Sequence, residues 1–209
     1  MLGEKAFASP AQSGDSDISS VVGCGRALPG HRLEVRDPIS NRLMNEREIG
    51  EICFYGPSVC PAYFHELRDP KGFKARKELR TGDLGYLFDG YLYVVGRLKD
   101  VIQIAGANYY PSDVEAFVNK VPGVRIGRSV AIGVQNLKIG TSSLVIVTER
   151  DARSDEVDIK DRIKTFVRQN IGITVEEVLF IAKGSMPLTT SGKLMRSKCL
   201  ELYQRSRET

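Results

Sequence analysis

The sequence contains no tryptophan, two histidines and four cysteines, and this scarcity excludes several kinds of site. The cysteines have no CxxC spacing, and the histidines do not accompany a pair of them. Neither a zinc site nor a disulfide framework is expected from this pattern, and reduced thiols are the default. The residues concerned are Cys24, Cys53, Cys60, Cys199, His31 and His65. We therefore predict no metal site in this chain.

Long apolar runs are absent as well. The first 20 residues hold no apolar stretch of the kind that a signal peptide needs. No segment approaches the ~18–20 consecutive apolar residues of a transmembrane helix. These absences predict a cytoplasmic protein without a membrane span.

A large excess of charge of one sign is also missing, since 30 lysines and arginines are balanced by 26 aspartates and glutamates. The net charge of +4 and the pI of about 8.9 suit an anionic ligand. Because acidic and basic residues are interspersed, a stripe that binds nucleic acid is not expected. An RNA-binding α+β domain is disfavoured too, because no strand resembles the "RGFGFV" type with exposed aromatic residues.

The first half of the chain is rich in strand signals. The stretches "HRLEVRD" at 31–37 and "GEICFYG" at 50–56 have the length and the alternation of strands, with Gly and Pro between them. In "YLFDGYLYVVG", Asp89 and Gly90 separate two runs of aromatic and β-branched residues. Asp-Gly is a strong hairpin signal, since both turn positions require a positive φ. We predict a β-rich unit over residues 1–97.

The second half mixes helix and strand signals. In "YPSDVEAFVNKV" the apolar residues follow helical spacing, and Ser112 with Glu115 matches a capping box. The apolar face would consist of Val114, Phe117, Val118 and Val121. A second helix is predicted over 155–172, where Gly172 would end it, and a third over 194–205.

Short strands are predicted between these helices, at "DVIQIAG", "SVAIGV", "SLVIVTE" and "VEEVLFIA". The predicted fold class is therefore α+β, with a β-rich first domain at 1–97 and a small α+β domain at 98–209. The charged stretch "GRLKD" lies at the joint, where it forms either a solvated turn or a hinge between two rigid bodies.

The stretch "PLTTSGKLMR", residues 187–196, places a lone lysine, Lys193, in a polar segment. It is not a phosphate-binding P-loop, because Pro187 stands where the first glycine is needed and Leu194 replaces the required hydroxyl residue. Most exposed lysines are solvated charges, although the long stem can also deliver an ammonium group to a phosphate or carboxylate oxygen.

Two further motifs each allow a functional and a structural interpretation. In "RTGDLG", Asp83 is flanked by glycines, so its carboxylate could accept the two hydroxyls of a ribose or bond its own turn. Arg97 ends a strand, where a guanidinium could contact phosphate or ribose oxygens or form a surface ion pair. Neither motif decides between its interpretations alone.

In this order and spacing, "LRTGDLGYL", "GYLYVVGRLKDVIQIAGANYYPSDVE" and "PLTTSGKLMR" resemble the C-terminal third of the adenylate-forming enzymes. That superfamily includes acyl-CoA synthetases, nonribosomal peptide adenylation domains and luciferases. Asn108, Tyr110 and Pro111 make "GANYYPSDVE" most similar to the fatty acyl-AMP ligase branch. The upstream stretch "VVGCGRALPGHRLEVRDP" resembles the last β subdomain of the family's large domain.

The resemblance implies an ATP-dependent ligase of fatty acid metabolism or of polyketide and nonribosomal peptide synthesis. It would activate a fatty or other carboxylic acid as an acyl-adenylate, with Mg²⁺ in the complete enzyme. The acyl group would pass to the phosphopantetheine thiol of an acyl carrier protein or to CoA. Residues 1–97 would be the last β subdomain of the large domain, and 98–209 the mobile C-terminal lid.

The resemblance also implies a role for five residues. Lys193 corresponds to the catalytic lysine, and Asp83 and Arg97 would contact the ribose and phosphate region of ATP or AMP. Lys99 occupies the hinge position. Gly106 lies on the face that turns in for thiol transfer.

Departures from the family pattern leave alternatives open. The phosphate-gripping loop and the aromatic adenine segment belong to earlier subdomains, so this chain is expected to lack activity without an N-terminal adenylation domain. Ala105 and Ala107 stand where the branch commonly has basic residues, which disfavours docking of an acidic carrier protein there. The alternatives are part of an acyl-CoA synthetase, part of an amino-acid adenylation domain, and a non-catalytic module that binds a carrier protein.

Overall fold

The computed structural model describes five stretches of the chain, which are residues 7–10, 21–60, 77–136, 140–150 and 155–208. They divide into two compact units, and the boundary falls between Lys99 and Asp100. None of the helices in these stretches is long and apolar enough to cross a membrane.

The first unit contains a four-stranded antiparallel sheet in the order β1-β2-β3-β4. Its strands are β1 (Arg32–Arg36), β2 (Gly50–Tyr55), β3 (Glu78–Phe88) and β4 (Tyr91–Arg97). The predicted hairpin is confirmed, because Asp89 and Gly90 join β3 to β4 with φ angles of 49° and 73°. Both values lie in the left-handed region that a tight two-residue hairpin turn requires.

A bulge interrupts the pairing of β3 with β4 between Leu84 and Gly85. At this point the backbone oxygen of Tyr93 and the side chain of Ile52 approach Gly85 so closely that a Cβ atom would collide with both. Glycine is therefore required for close approach of the strands. The bulge sets the register in which Asp83 lies opposite Arg97.

The second unit is an α+β domain. Its elements are β5 (Ile102–Ile104), β6 (Ala107–Tyr109), α1 (Pro111–Val118), β7 (Val124–Asn136), β8 (Thr141–Arg150), α2 (Glu156–Ile171), β9 (Val175–Ile181) and α3 (Arg196–Glu208). The main sheet has the order β7-β8-β9, with β7 antiparallel and β9 parallel to β8, and α2 provides the crossover between the parallel strands. The predicted α+β fold class is confirmed.

Helices cover both faces of this sheet because its strands are apolar on both sides. On β8, Leu144 and Ile146 point into a core cluster with residues of α1 and α2. Val145 and Val147 point to the other face, where α3 contributes residues to a second cluster. All four side chains are at most 1% exposed. Each stabilises the unit by about 1.5–3 kcal/mol relative to exposure in water.

Helix α2 follows the prediction closely. Asp155 caps its first turn by accepting a hydrogen bond from the Val157 backbone N–H at 3.2 Å. Gly172 ends the helix with a φ of 77°. The spacing predicts an apolar face of Ile159, Ile163, Phe166 and Val167. Three of these residues are buried, and Phe166 is partly buried against the same core cluster.

The capping box predicted for α1 is wrong. The helix begins at Pro111, its N-cap is Tyr110, and no side-chain cap bond is present there. Glu115 is buried, and its carboxylate accepts a hydrogen bond from the Arg196 guanidinium. It therefore does not bond the backbone at the start of the helix. The helix also ends at Val118, although Val121 beyond it remains buried as predicted.

Candidate functional site

Lys193 lies near the tip of a tight loop that joins β9 to α3. The two sides of the loop pair through a bridge between Leu188 and Leu194. The Thr189 N–H donates to the Lys193 carbonyl at 2.8 Å, and the Lys193 N–H donates to the Thr189 hydroxyl at 3.0 Å. Gly192 has a φ of 81°, which closes the turn. These bonds give the turn its shape.

The side chain of Lys193 is exposed. Within the described part of the chain, Lys193 forms hydrogen bonds through its backbone, and its ammonium group has no hydrogen-bond or ion-pair partner. A cation without a fixed partner on an ordered turn can approach an anionic ligand without first breaking an internal ion pair.

A buried carboxylate, Glu149, bonds the backbone at the start of this loop. Glu149, at the end of β8, is 0% exposed and accepts the Met186 N–H at 2.8 Å and the Arg125 guanidinium at 2.6 Å. Burial alone would raise the pKa of Glu149. The backbone N–H groups of Gly184 and Met186 and the charge of Arg125 outweigh it and lower that pKa below its usual range.

A second buried carboxylate, Glu115, bonds Arg196 at the end of the loop. Arg196, the first residue of α3, donates from Nη2 to both oxygens of Glu115, at 2.9 and 2.7 Å. Glu115 also accepts the Ala131 N–H at 3.0 Å, and Arg196 Nη1 lies 3.7 Å from Asp100. Burial raises the pKa of Glu115, and Arg196 and the Ala131 N–H only partly offset this effect.

Asp83 and Arg97 meet in the first unit. They are paired across β3 and β4, and Arg97 Nε donates to Asp83 Oδ1 at 3.0 Å. The backbone N–H of Asp83 donates to the Thr81 hydroxyl, which itself donates to the Ile52 carbonyl. The Asp83 side chain is 34% exposed. The arrangement presents a partly solvated carboxylate with an arginine beside it, which suits recognition of hydroxyl and phosphate groups.

The two remaining predicted positions lie in turns. Lys99 is exposed in a single 3₁₀ turn, Leu98–Asp100, directly before the boundary between the units. Gly106 and Ala105 form the β5–β6 turn with φ angles of 84° and 50°. A Cβ atom placed on Gly106 would meet nothing within 4 Å. The space above this turn is therefore open.

The structure thus brings Asp83 together with Arg97 and places Lys193 and Gly106 in the other unit. Sequence reasoning did not identify Glu115 and Glu149 as buried carboxylates that bond the two ends of the loop. The available signal was a glutamate inside an otherwise apolar pattern, as in "SLVIVTE". Among the residues that the structure describes, no cluster of three or more His, Cys, Asp or Glu side chains could hold a metal ion.

Comparisons with known proteins agree with this fold. The family model described as Disco-interacting protein 2-like, AMP domain, matches residues 99–208. A medium-chain-fatty-acid–[acyl-carrier-protein] ligase of Moorena producens, JamA, is 35% identical over 204 residues. That match covers 91% of this chain and 34% of JamA. The long-chain-fatty-acid–AMP ligase FadD26 of Mycobacterium tuberculosis is 32% identical over 196 residues, covering 80% of this chain and 33% of FadD26.

A solved structure from studies of fatty acyl-adenylate ligases of E. coli and L. pneumophila superposes with a TM-score of 0.80 at 30% identity. The superposition covers 97% of this chain and 36% of that protein. Fold and sequence define the class as the adenylate-forming superfamily. Within it, the chain belongs to the family of Disco-interacting protein 2-like AMP domains, whose model matches more than half of its length. The chain spans about a third of the length of the curated relatives.

Proposed function

We propose that this chain is the C-terminal part of an acyl-AMP ligase that activates a fatty acid and passes the acyl group to a carrier-protein thiol. The observation that carries the proposal is Lys193, an exposed cation on an ordered loop in a member of the adenylate-forming superfamily. The ligase names of JamA and FadD26 support the substrate class.

The proposed chemistry has two steps. A carboxylate oxygen attacks the α-phosphorus of ATP, so that an oxygen–phosphorus bond forms and the bond to pyrophosphate breaks. A thiolate then attacks the acyl carbon, and AMP leaves. The first step brings two anions together, and its barrier is largely electrostatic. Lys193 would stabilise the charge that builds up between the carboxylate and the α-phosphate.

The other predicted residues have complementary roles in this proposal. Asp83 would accept the ribose hydroxyls of ATP or AMP, with Arg97 beside it to contact ribose or phosphate oxygens. Rotation of the backbone at Lys99 would let residues 98–209 act as a lid that adopts one pose for each half-reaction. Gly106 would leave space for the pantetheine arm in the second pose.

The proposed acceptor is a carrier protein, and CoA is the alternative. JamA is named for a carrier-protein acceptor, which favours the first. The alanines at 105 and 107 argue for docking through another surface than the β5–β6 turn. Parallel assays with a carrier protein and with CoA distinguish the two acceptors.

Replacement of Asp83 by asparagine is expected to weaken nucleotide binding by at least about tenfold, or about 1.4 kcal/mol. Asparagine keeps the size of the side chain but loses the charge and one of the two acceptor oxygens. Isothermal titration of the chain with AMP, ATP and a non-hydrolysable acyl-adenylate measures the effect.

Asp89→Asn is the matched control, because Asp89 lies in the exposed β3–β4 turn and asparagine tolerates its positive φ. Equal affinities of the wild-type chain and Asp83→Asn would contradict the ribose role. Absence of binding by the wild-type chain would contradict a nucleotide site formed by these residues alone.

A further inference from the structure

One guanidinium in the second unit links three separate segments of the chain. Arg196 begins α3 three residues after Lys193, and it bonds Glu115 on α1 through Nη2. Its Nη1 lies 3.7 Å from Asp100, the residue that directly follows the predicted hinge position Lys99. Arg196 therefore joins the end of the Lys193 loop to α1 and to Asp100, the residue at the boundary between the units.

The environment of Arg196 indicates that its orientation is imposed by these contacts. Glu115 is only 7% exposed, so its charge depends on Arg196 and on the Ala131 N–H. The Arg196 Nε atom is buried and finds no hydrogen-bond partner among the described residues. Unsatisfied buried donors are rare, and here the two bonds to Glu115 hold the guanidinium in an orientation that leaves one.

The opposite end of the loop is already fixed by Glu149, through the Met186 N–H. The Met195 N–H also donates to the Pro187 carbonyl at 3.0 Å, which closes the base of the loop. Between two such anchors, the position of Lys193 is determined by where Arg196 places the start of α3. Three residues span at most ~10 Å, so the position of Arg196 limits where Lys193 can lie.

We propose that Arg196 is a positioning residue that orders the Lys193 loop and couples it to the segment after Lys99. The proposal rests on the proposed function only in the use it gives to Lys193. In this arrangement the loop, α1 and Asp100 move as one body when the backbone rotates at Lys99. Lys193 would then arrive at its substrate already oriented.

The test is the backbone order of the loop, measured by ¹⁵N relaxation on the whole chain well below its melting temperature. In the wild-type chain, order parameters at Thr189, Gly192 and Lys193 should lie near the ~0.85 of rigid backbone. In Arg196→Met and in Glu115→Gln they should fall below ~0.6, the range of flexible segments. Glu115→Gln keeps the size of its side chain and serves as the milder variant if Arg196→Met does not fold.

Arg207→Gln is the matched control, because it removes another arginine of α3 that pairs with Glu177 at 3.1 Å, away from the loop. Its loop order parameters should equal those of the wild-type chain. If Arg196 were merely stabilising, the variants would melt at lower temperature while the loop order stayed unchanged. That result, or loosening throughout the sheet as well as the loop, would overturn the proposal.

The readout needs neither substrate nor turnover, so the two proposals can fail separately. A loosened loop in the variants would support the positioning role. An adenylation rate that does not depend on Lys193, measured after this chain replaces the matching region of JamA, would overturn the proposed function. A loop that remains ordered, together with an essential Lys193, would overturn the positioning role alone.

Discussion

Replacement of Lys193 by alanine is expected to slow acyl-adenylate formation by about 100- to 1000-fold, the usual cost of losing one group that stabilises transition-state charge. The loss should fall on the adenylation step, because Lys193 would act only where the carboxylate meets the α-phosphate. The effect can be measured in a chimera in which this chain replaces the region of JamA that it matches.

Single-turnover assays with ATP and a medium-chain fatty acid measure adenylation, and transfer from preformed acyl-AMP to the carrier protein measures the second step. Lys183→Ala is the matched control, since Lys183 is another exposed lysine of the same unit, in the turn after β9. A chimera whose adenylation rate is unchanged by Lys193→Ala would contradict the catalytic role.

The second large effect is expected on stability, from Glu149→Gln. In the wild-type chain, the Met186 N–H and the Arg125 guanidinium donate to the Glu149 carboxylate. Glutamine keeps the side-chain volume, but its NH₂ group cannot accept either of these bonds. We expect the free energy of unfolding at pH 7 to fall by about 2–3 kcal/mol, which is typical of an unsatisfied buried partner. Urea unfolding followed by circular dichroism measures it.

This difference should depend on pH in a defined direction. The pKa of Glu149 is lower in the folded protein than in the unfolded chain, so the folded state favours the ionised form. The stabilisation is present above the ordinary glutamate pKa of about 4.3 and is lost as pH falls through the folded value. The wild-type chain and Glu149→Gln should therefore converge in stability as the pH is lowered.

Glu156→Gln provides the control, because Glu156 is exposed and pairs with Arg150 at 3.6 Å on the surface. Its effect should stay within about 1 kcal/mol at every pH. A stability difference between wild type and Glu149→Gln that is the same at pH 7 and pH 3 would contradict the ionised state assigned to Glu149.

Local chemistry made much of the fold predictable. The Asp89-Gly90 turn and helix α2, ended by Gly172, depend on neighbouring residues and on simple periodicity, and both were confirmed. The capping box failed because Glu115 has a stronger partner in Arg196, 81 positions away in sequence. A local motif does not reveal an ion pair that only the folded chain brings together.

For the candidate site, too, the sequence allowed some predictions and not others. Resemblance to the adenylate-forming enzymes was confirmed, whereas the roles of Lys193, Asp83, Arg97, Lys99 and Gly106 remain predictions. The sequence could not predict the hydrogen bonds and ion pairs that hold the Lys193 loop. Glu149 reads as the end of an apolar strand, and its bonds to Arg125 and Met186 join positions that are far apart in the chain.

Fatty-acid-dependent pyrophosphate release should be measured for three proteins. These are JamA without its matched region, the chimera that restores the region with this chain, and this chain alone. We expect release by the chimera only, at a rate that depends on Lys193. Turnover by this chain alone, or a folded chimera that releases no pyrophosphate, would contradict the claim that this chain supplies the lysine-bearing part of an acyl-AMP ligase.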